Sequence, residues 1–420
     1  MFEKYLKKYN KTESLIQDKP ELDLFNIIVI PCLNEPEIIK TLQSLKSCNI
    51  AQKSVEVIIV INSSELASAE IIEQNKLTFN EINEYAKNEN TPKLKFHPII
   101  VSDIPKKKTG AGYARKLGMD EAVFRFSQIN VDGVITSLDA DTILETNYLQ
   151  VIENAFLKTN TNAATIYYEH SLNEKEFGVE LINGIKKYEL YLRYFRQALI
   201  YIGFPFATHT IGSAFASRTS IYVNYGGLKA TQAGEDFYFV QKVIQAGNYK
   251  EIVDTKVTPS PRLSQRVIFG TGPAVIDILK SENQEYFVYS ITSFVDLKQF
   301  VDSVDSFFNA DEKTLNEIID TLSAPLKEFL GEINFEKTVL KINSNTKTLE
   351  TFKKAFFNNF NTFTLIRFLN ESHKKYYKKQ EVEIVAKSLL EFSETEISAN
   401  NLDDLLNIFK DADKEKISLF

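Results

Sequence analysis

At 420 residues and 48.0 kDa, with 44% hydrophobic and 25% charged residues, the chain is long enough for two or three folded units, and its globular composition excludes a disordered or collagen-like protein. A formal charge of −7 argues against a general nucleic-acid binder, so an anionic substrate must be met by local charges. Two cysteines, Cys32 and Cys48, lack any CxxC or Cys/His spacing, which excludes a disulfide framework or structural zinc and favours a reducing cytoplasm.

Residues 1–24 form a charged leader, expected to be helical, without the apolar core and cleavage site of a signal peptide. No run reaches the roughly 18 to 20 apolar residues of a membrane span, so the expected place of work is the cytoplasm, including the inner face of a membrane. Phe25 to Ile30 reads as a strand buried on both faces and stopped by Pro31. Ile38, Ile39, Leu42 and Leu45 have helical spacing. "SVEVIIVINSS" is a second buried strand ending in a polar turn at Asn62, and a polar helical segment then runs to about Asn90. "KLKFHPIIV" is a third strand, and the basic, glycine-containing "KKKTGAGYARKLG" leads into a helix. "DGVITSLDADT" is the fourth strand, and this alternation predicts a parallel α/β sheet with ligands at the carboxyl ends of its strands.

Beyond Thr142 the order loosens into a helix near 146–158, a short strand "AATIYYEH", a Tyr-rich helical stretch around 188–206, and a helix in "AGEDFYFVQKVIQAG" with Gly247 as its cap. Residues 259–273 are loop-like by their Pro, Ser and Gly content. From about 275 the pattern is helical and rich in Lys, Glu, Asn and Phe. The resulting division is a leader over 1–24, an α/β region over 25–274 and a helical region over 275–420.

The fourth strand ends on two carboxylates, Asp139 and Asp141. Positions two apart on an extended chain project to one side, and two like charges so close need a cation between them. Hard oxygen ligands suit Mg²⁺ or Mn²⁺ bridged to substrate phosphates. Acidic residues also finish strands as solvated turn formers, so the triplet gains meaning only with anion-binding neighbours. Lys106, Lys107, Lys108, Gly110, Gly112 and Arg115 supply them, with a solvated basic loop as the plain alternative. Gly118 falls too late for a dinucleotide fingerprint, and no Gly-Lys-Ser/Thr is present for a P-loop.

In this order, "VIPCLNE", "GAGYARKLG", "LDADT", "GGL" and "GEDFYFVQKV" resemble the family 2 glycosyltransferases of the GT-A fold, over roughly 250 residues ending near Pro273. The resemblance implies a Rossmann-like mixed, mainly parallel sheet flanked by helices, a nucleotide-diphospho-sugar donor and a divalent cation, Mn²⁺ or Mg²⁺. It places Pro31, Asn34 and Glu35 at the nucleoside, Asp139 at the ribose or metal, and Asp141 on the metal. It makes Asp236 the base that deprotonates the acceptor hydroxyl, with Glu235 beside it. Asn62 stands where many members carry an acid, so the nucleotide base stays open. Gly110 and Arg115 belong to the donor loop, and Arg262 and Arg266 are candidates to clamp a diphosphate, or are surface arginines paired with acids. There is no Trp and no span of the kind carried by processive synthases, so transfer of a single sugar, with inversion, is expected. The acceptor is a glycan, a lipid-linked sugar or a small molecule.

His209 reads as an acceptor-side residue or a structural one. The Tyr-rich stretch with Arg193 and Arg196 reads as a peripheral membrane or acceptor surface, or as core packing. Two rival functions remain: a sugar-nucleotidyltransferase, against which stands "PCLNE" in place of a glycine-rich signature after the first strand, and a non-catalytic sugar-nucleotide-binding protein.

Overall fold

A run of β-branched residues makes β1 (Leu24–Cys32), and every position of it is buried. In the computed structural model, which describes residues 2–9, 11–231, 234–263, 270–394 and 397–420, β1 is central to an eight-stranded sheet. The others are β2 (Ser54–Ser64), β3 (Leu94–Ile104), β4 (Val134–Ser137), β5 (Thr142–Leu144), β6 (Ala163–Tyr168), β7 (Phe215–Arg218) and β8 (Tyr249–Pro259). Their order is β3-β2-β1-β4-β7-β6-β8-β5. The first four strands are mutually parallel. Strand β7 runs antiparallel to β4 and β6, β8 is parallel to β6, and β5 is antiparallel to β8. The sheet is thus mixed, with helices alongside, as the sequence leads one to expect of an α/β architecture.

Two local expectations need correction. Pro31 does not stop β1 but lies inside it, opposite Val60. The pairing with β4 ends at Val29 and Ser137, so the missing N–H of Pro31 leaves no gap in that ladder. Asp139 and Asp141 are not on extended strand either: β4 ends at Ser137, and a turn closed by the Thr142 N–H on the Asp139 carbonyl (3.3 Å) carries both. A turn, not strand alternation, brings the carboxylates together.

The flanking helices are α1 (Glu3–Lys8), α2 (Ile38–Lys46), α3 (Ala69–Glu89), α4 (Ala111–Ile129), α5 (Tyr148–Leu157), α6 (Glu174–Phe177), α8 (Thr219–Asn224) and α9 (Glu235–Val243), while α7 (Val179–Tyr201) follows α6 in sequence. Ala114, Ala122, Val123 and Phe126 of α4 share a core with Val29, Ile58 and Val60 of the sheet. The leader is tied to α4, where the Tyr5 hydroxyl donates to Asp120 Oδ1 at 2.7 Å and Lys116 lies 4.0 Å over the Tyr9 ring.

The chain forms two units, residues 1–182 with 210–276, and residues 183–209 with 277–420. The sheet belongs to the first. In the second, side chains of Asp311, Thr348, Asn361 and Asn401 cap four helices, as short polar residues ahead of amphipathic runs should. Phe300, Phe307, Phe335 and Phe356 pack ring against ring at its centre. Residues 183–209, inside the span read from sequence as the α/β region, pack within this second unit.

Arg193 and Arg196 of that stretch are buried and donate to Asp413, each at 2.7 Å, and His209 Nε2 lies 2.8 Å from the same carboxylate. Burial pushes the Asp413 carboxyl up, but His209, Arg193 and Arg196 outweigh it and hold the group below the ordinary range. The two arginines are therefore interior residues, and His209, half-buried, pairs with the same carboxylate. Among the described residues, no helix is long and apolar enough to cross a membrane.

Candidate active site

The loops at the carboxyl ends of β1, β2 and β3 are tied to one another by amides. Asn34 turns the chain after β1 with φ +49°, a conformation Asn tolerates, and its N–H donates to Asn75 Oδ1 at 2.9 Å. Asn75 Nδ2 donates to the Asn62 carbonyl, and Asn62 Nδ2 donates to the Gly110 carbonyl, both at 3.2 Å. Asn34 is exposed, whereas Asn62 and Asn75 are buried. Sequence reading missed Asn75. Its signal is an amide on the buried stripe of α3 that continues through Thr78, Ile82 and Ala86. Pro31 is buried at the end of β1, next to this loop.

Two arginines organise the acids. Arg115, 3% exposed on α4, donates through Nη1 to Glu235 at the start of α9 and through Nη2 to Asp139 Oδ1 at 2.6 Å. Arg262 donates through Nε to Asp141 Oδ2 at 2.8 Å, through Nη1 to Glu35 Oε1 at 2.6 Å, and through Nη2 to Glu35 Oε2. Close approach explains two glycines here. A Cβ on Gly112 would stand 2.7 Å from Glu235 Oε2, and one on Gly212 would stand 2.9 Å from both Arg115 Nη2 and Asp236 Oδ2. Asp236 therefore lies beside the Arg115 pair, and its Oδ1 accepts from the Phe237 N–H at 2.7 Å.

Among the described residues, five carboxylates (Glu35, Asp139, Asp141, Glu235, Asp236) share two guanidiniums. Counting those described groups alone, with all five ionised, acids outnumber guanidiniums by three. Burial pushes the Asp141 carboxyl above its ordinary range, and Asp139 and Glu35 add to the effect while Arg262 opposes it. Burial likewise raises Asp236; Arg115 and the Phe237 N–H oppose it, and Asp139 adds to the rise. A position in the first turn of α9 favours the anion, and burial outweighs it.

Asp139 and Asp141 are 37% and 26% exposed, so solvent reaches both. Surplus negative charge on accessible oxygen ligands fits a hard divalent cation. No group of three or more His, Cys, Asp or Glu among the described residues is arranged to hold a metal by itself. A cation at Asp139 and Asp141 would therefore complete its shell with water and substrate oxygens, as Mg²⁺ and Mn²⁺ commonly do.

Arg115→Lys tests the arrangement. One ammonium cannot serve Glu235 and Asp139 as a planar fork does. The variant is expected to lose about 2 kcal/mol of stability in urea unfolding.

Lys106, Lys107 and Lys108 are exposed on the loop after β3, where the Lys106 N–H donates to Glu65 Oε1 at 3.3 Å. Arg266 lies outside the described residues.

With this geometry in place, residues 27–222 match the model of glycosyl transferase family 2. This region is a glycosyl transferase family 2 domain. The match spans β1 to α8, including Asn34, Glu35, Asn62, Arg115, Asp139 and Asp141. Glu235, Asp236 and Arg262, which complete the cluster in the glycosyltransferase, lie beyond the matched span.

No curated protein matches the chain. Solved structures similar to the glycosyltransferase include S. aureus TarS 1-349 in complex with UDP-GlcNAc, 12% identical, with 84% of this chain and 93% of that chain covered and a TM-score of 0.41. The mannosyltransferase PcManGT from Pyrobaculum calidifontis, in complex with GDP-Man and Mn²⁺, is 12% identical, with 86% and 93% covered and a TM-score of 0.35. GalNAc-T7 with UDP, GalNAc and Mn²⁺ is 15% identical, with 75% and 57% covered and a TM-score of 0.36.

Proposed function

We propose that the glycosyltransferase moves a single sugar from a nucleotide-diphospho-sugar to an acceptor hydroxyl, with inversion and with a divalent cation at Asp139 and Asp141. The observation that carries this reading is the cluster itself: five acids gathered around two arginines at the carboxyl ends of the strands, with negative charge in surplus. A diphosphate cannot approach such a cluster unless positive charge arrives with it.

Each residue then has a role. Asp141 and Asp139 hold the cation, which when bound offsets charge on the departing nucleoside diphosphate. Asp236 accepts the proton of the acceptor hydroxyl as that oxygen attacks the anomeric carbon from the face opposite the leaving group. Arg115 fixes Glu235 and Asp139 and so positions the start of α9. Asn34, Glu35, Asn62 and Gly110 frame the nucleoside side, with Pro31 behind them. The acceptor is a glycan, a lipid-linked sugar or a small alcohol, in the cytoplasm or at a membrane's inner face.

The reading is tested by incubating the full chain with UDP-, GDP-, CDP- and dTDP-sugars and Mn²⁺ and following the anomeric proton by NMR. Release of one nucleoside diphosphate with inverted product supports it. Retention of configuration would remove Asp236 from its role.

The pH dependence follows from the raised Asp236. The base works only when ionised, so kcat/KM falls as pH drops through a value above the ordinary aspartate range of about 4. Asp139 contributes to the rise, so Asp139→Asn moves this acid limb to lower pH. An acid limb that stays put in Asp139→Asn would contradict the assignment.

A further inference from the structure

Arg262 meets its two acids unequally. Glu35 is 1% exposed and takes both Nη atoms in a fork, whereas Asp141 receives only the Nε–H at 2.8 Å and keeps a quarter of its side chain exposed. The fork is the anchor and the Nε contact is the weaker arm. Asp141 and Glu35 meet on one guanidinium, and two carboxylates so placed repel each other unless a positive charge stands between them. The guanidinium thus supplies the charge the acids require when nothing else does.

We propose that Arg262 is a built-in counter-cation: it holds Asp141 until a divalent ion takes over that carboxylate, and stays tethered through Glu35 while its freed Nε–H becomes a donor for the incoming diphosphate. This rests on the reading of Asp141 as a cation ligand. Arg262 is then a positioning residue that sets how tightly the cation binds before the donor arrives. Cation and nucleoside diphosphate favour each other's binding, because the anion offers Arg262 a new partner at the moment the cation removes the old one.

The test is direct Mn²⁺ binding to the full chain, followed by the EPR signal of free Mn²⁺, for wild type, Arg262→Ala, Arg262→Lys and Asp141→Asn, with and without UDP or GDP. Removing a charged hydrogen-bond competitor should tighten Mn²⁺ binding to Arg262→Ala by about tenfold in the absence of nucleotide. Arg262→Lys keeps the charge but cannot serve Glu35 and Asp141 together, so it too should bind Mn²⁺ more tightly than wild type. A general field effect would leave the lysine variant unchanged, and that result overturns the proposal. Nucleotide should tighten Mn²⁺ binding to wild type more than to Arg262→Ala. Equal Mn²⁺ affinity in wild type and both Arg262 variants, with binding still lost in Asp141→Asn, overturns the counter-cation and leaves the metal site standing. Mn²⁺ binding indifferent to Asp141→Asn overturns both.

Discussion

Asp236→Asn lowers kcat by about a thousandfold while the protein stays folded and still binds its donor. The amide is nearly the same size, and its carbonyl oxygen still accepts from the Phe237 N–H, so the start of α9 keeps its geometry. What the amide loses is the capacity to take a proton at neutral pH. Nucleoside diphosphate release at saturating donor, set beside donor affinity by calorimetry, separates the two effects. A variant that turns over within tenfold of wild type would move the base elsewhere. Glu235→Gln should behave differently, because Glu235 is 2% exposed and paired with Arg115. Its loss leaves Arg115 short of a partner and costs stability as well as rate.

Asp141→Asn removes the cation-dependent part of catalysis and lowers kcat/KM by about a thousandfold, a loss of about 4 kcal/mol from the transition state. Its melting temperature should stay near that of wild type. The amide loses a charged contact with Arg262 but relieves a carboxylate that burial, Asp139 and Glu35 already disfavour. The measurement is kcat/KM as a function of Mn²⁺ concentration in both proteins. A variant with an unchanged Mn²⁺ dependence contradicts the role of Asp141.

Much of this site was legible in the residues. The buried strands β1 and β2 announce themselves as β-branched runs, and the acids of "LDADT" and "GED" stand at the element ends where a ligand is expected. The missing pieces are those whose signal is short or tertiary. Strand β7 is only four residues, "FASR", and β8 breaks its apolar residues with charged ones along "YKEIVDTKVTP", so neither resembles the continuous apolar runs that mark β1 and β2. Arg115 and Arg262 were both candidates by sequence, but which acid each one meets was out of reach. The arginine partners of Asp139 and Asp141 lie 24 and 121 residues away in sequence, a pairing that only the folded chain reveals. The same holds for Arg193 and Arg196: their setting among tyrosines reads as a surface or as core packing, and the pairing with Asp413, more than 200 residues on, decides for the interior.

The most direct measurement is thermal unfolding of wild type and Asp141→Asn with UDP-, GDP-, CDP- and dTDP-sugars, each with and without Mn²⁺. A ligand at a hundred times its dissociation constant stabilises by about 2.7 kcal/mol, a shift of several degrees. One nucleotide class should raise the wild-type melting temperature in the presence of Mn²⁺ and fail to do so in Asp141→Asn. If no sugar nucleotide shifts the wild type under any metal condition, the carboxylate cluster is not a donor site, and the proposed transfer reaction is wrong.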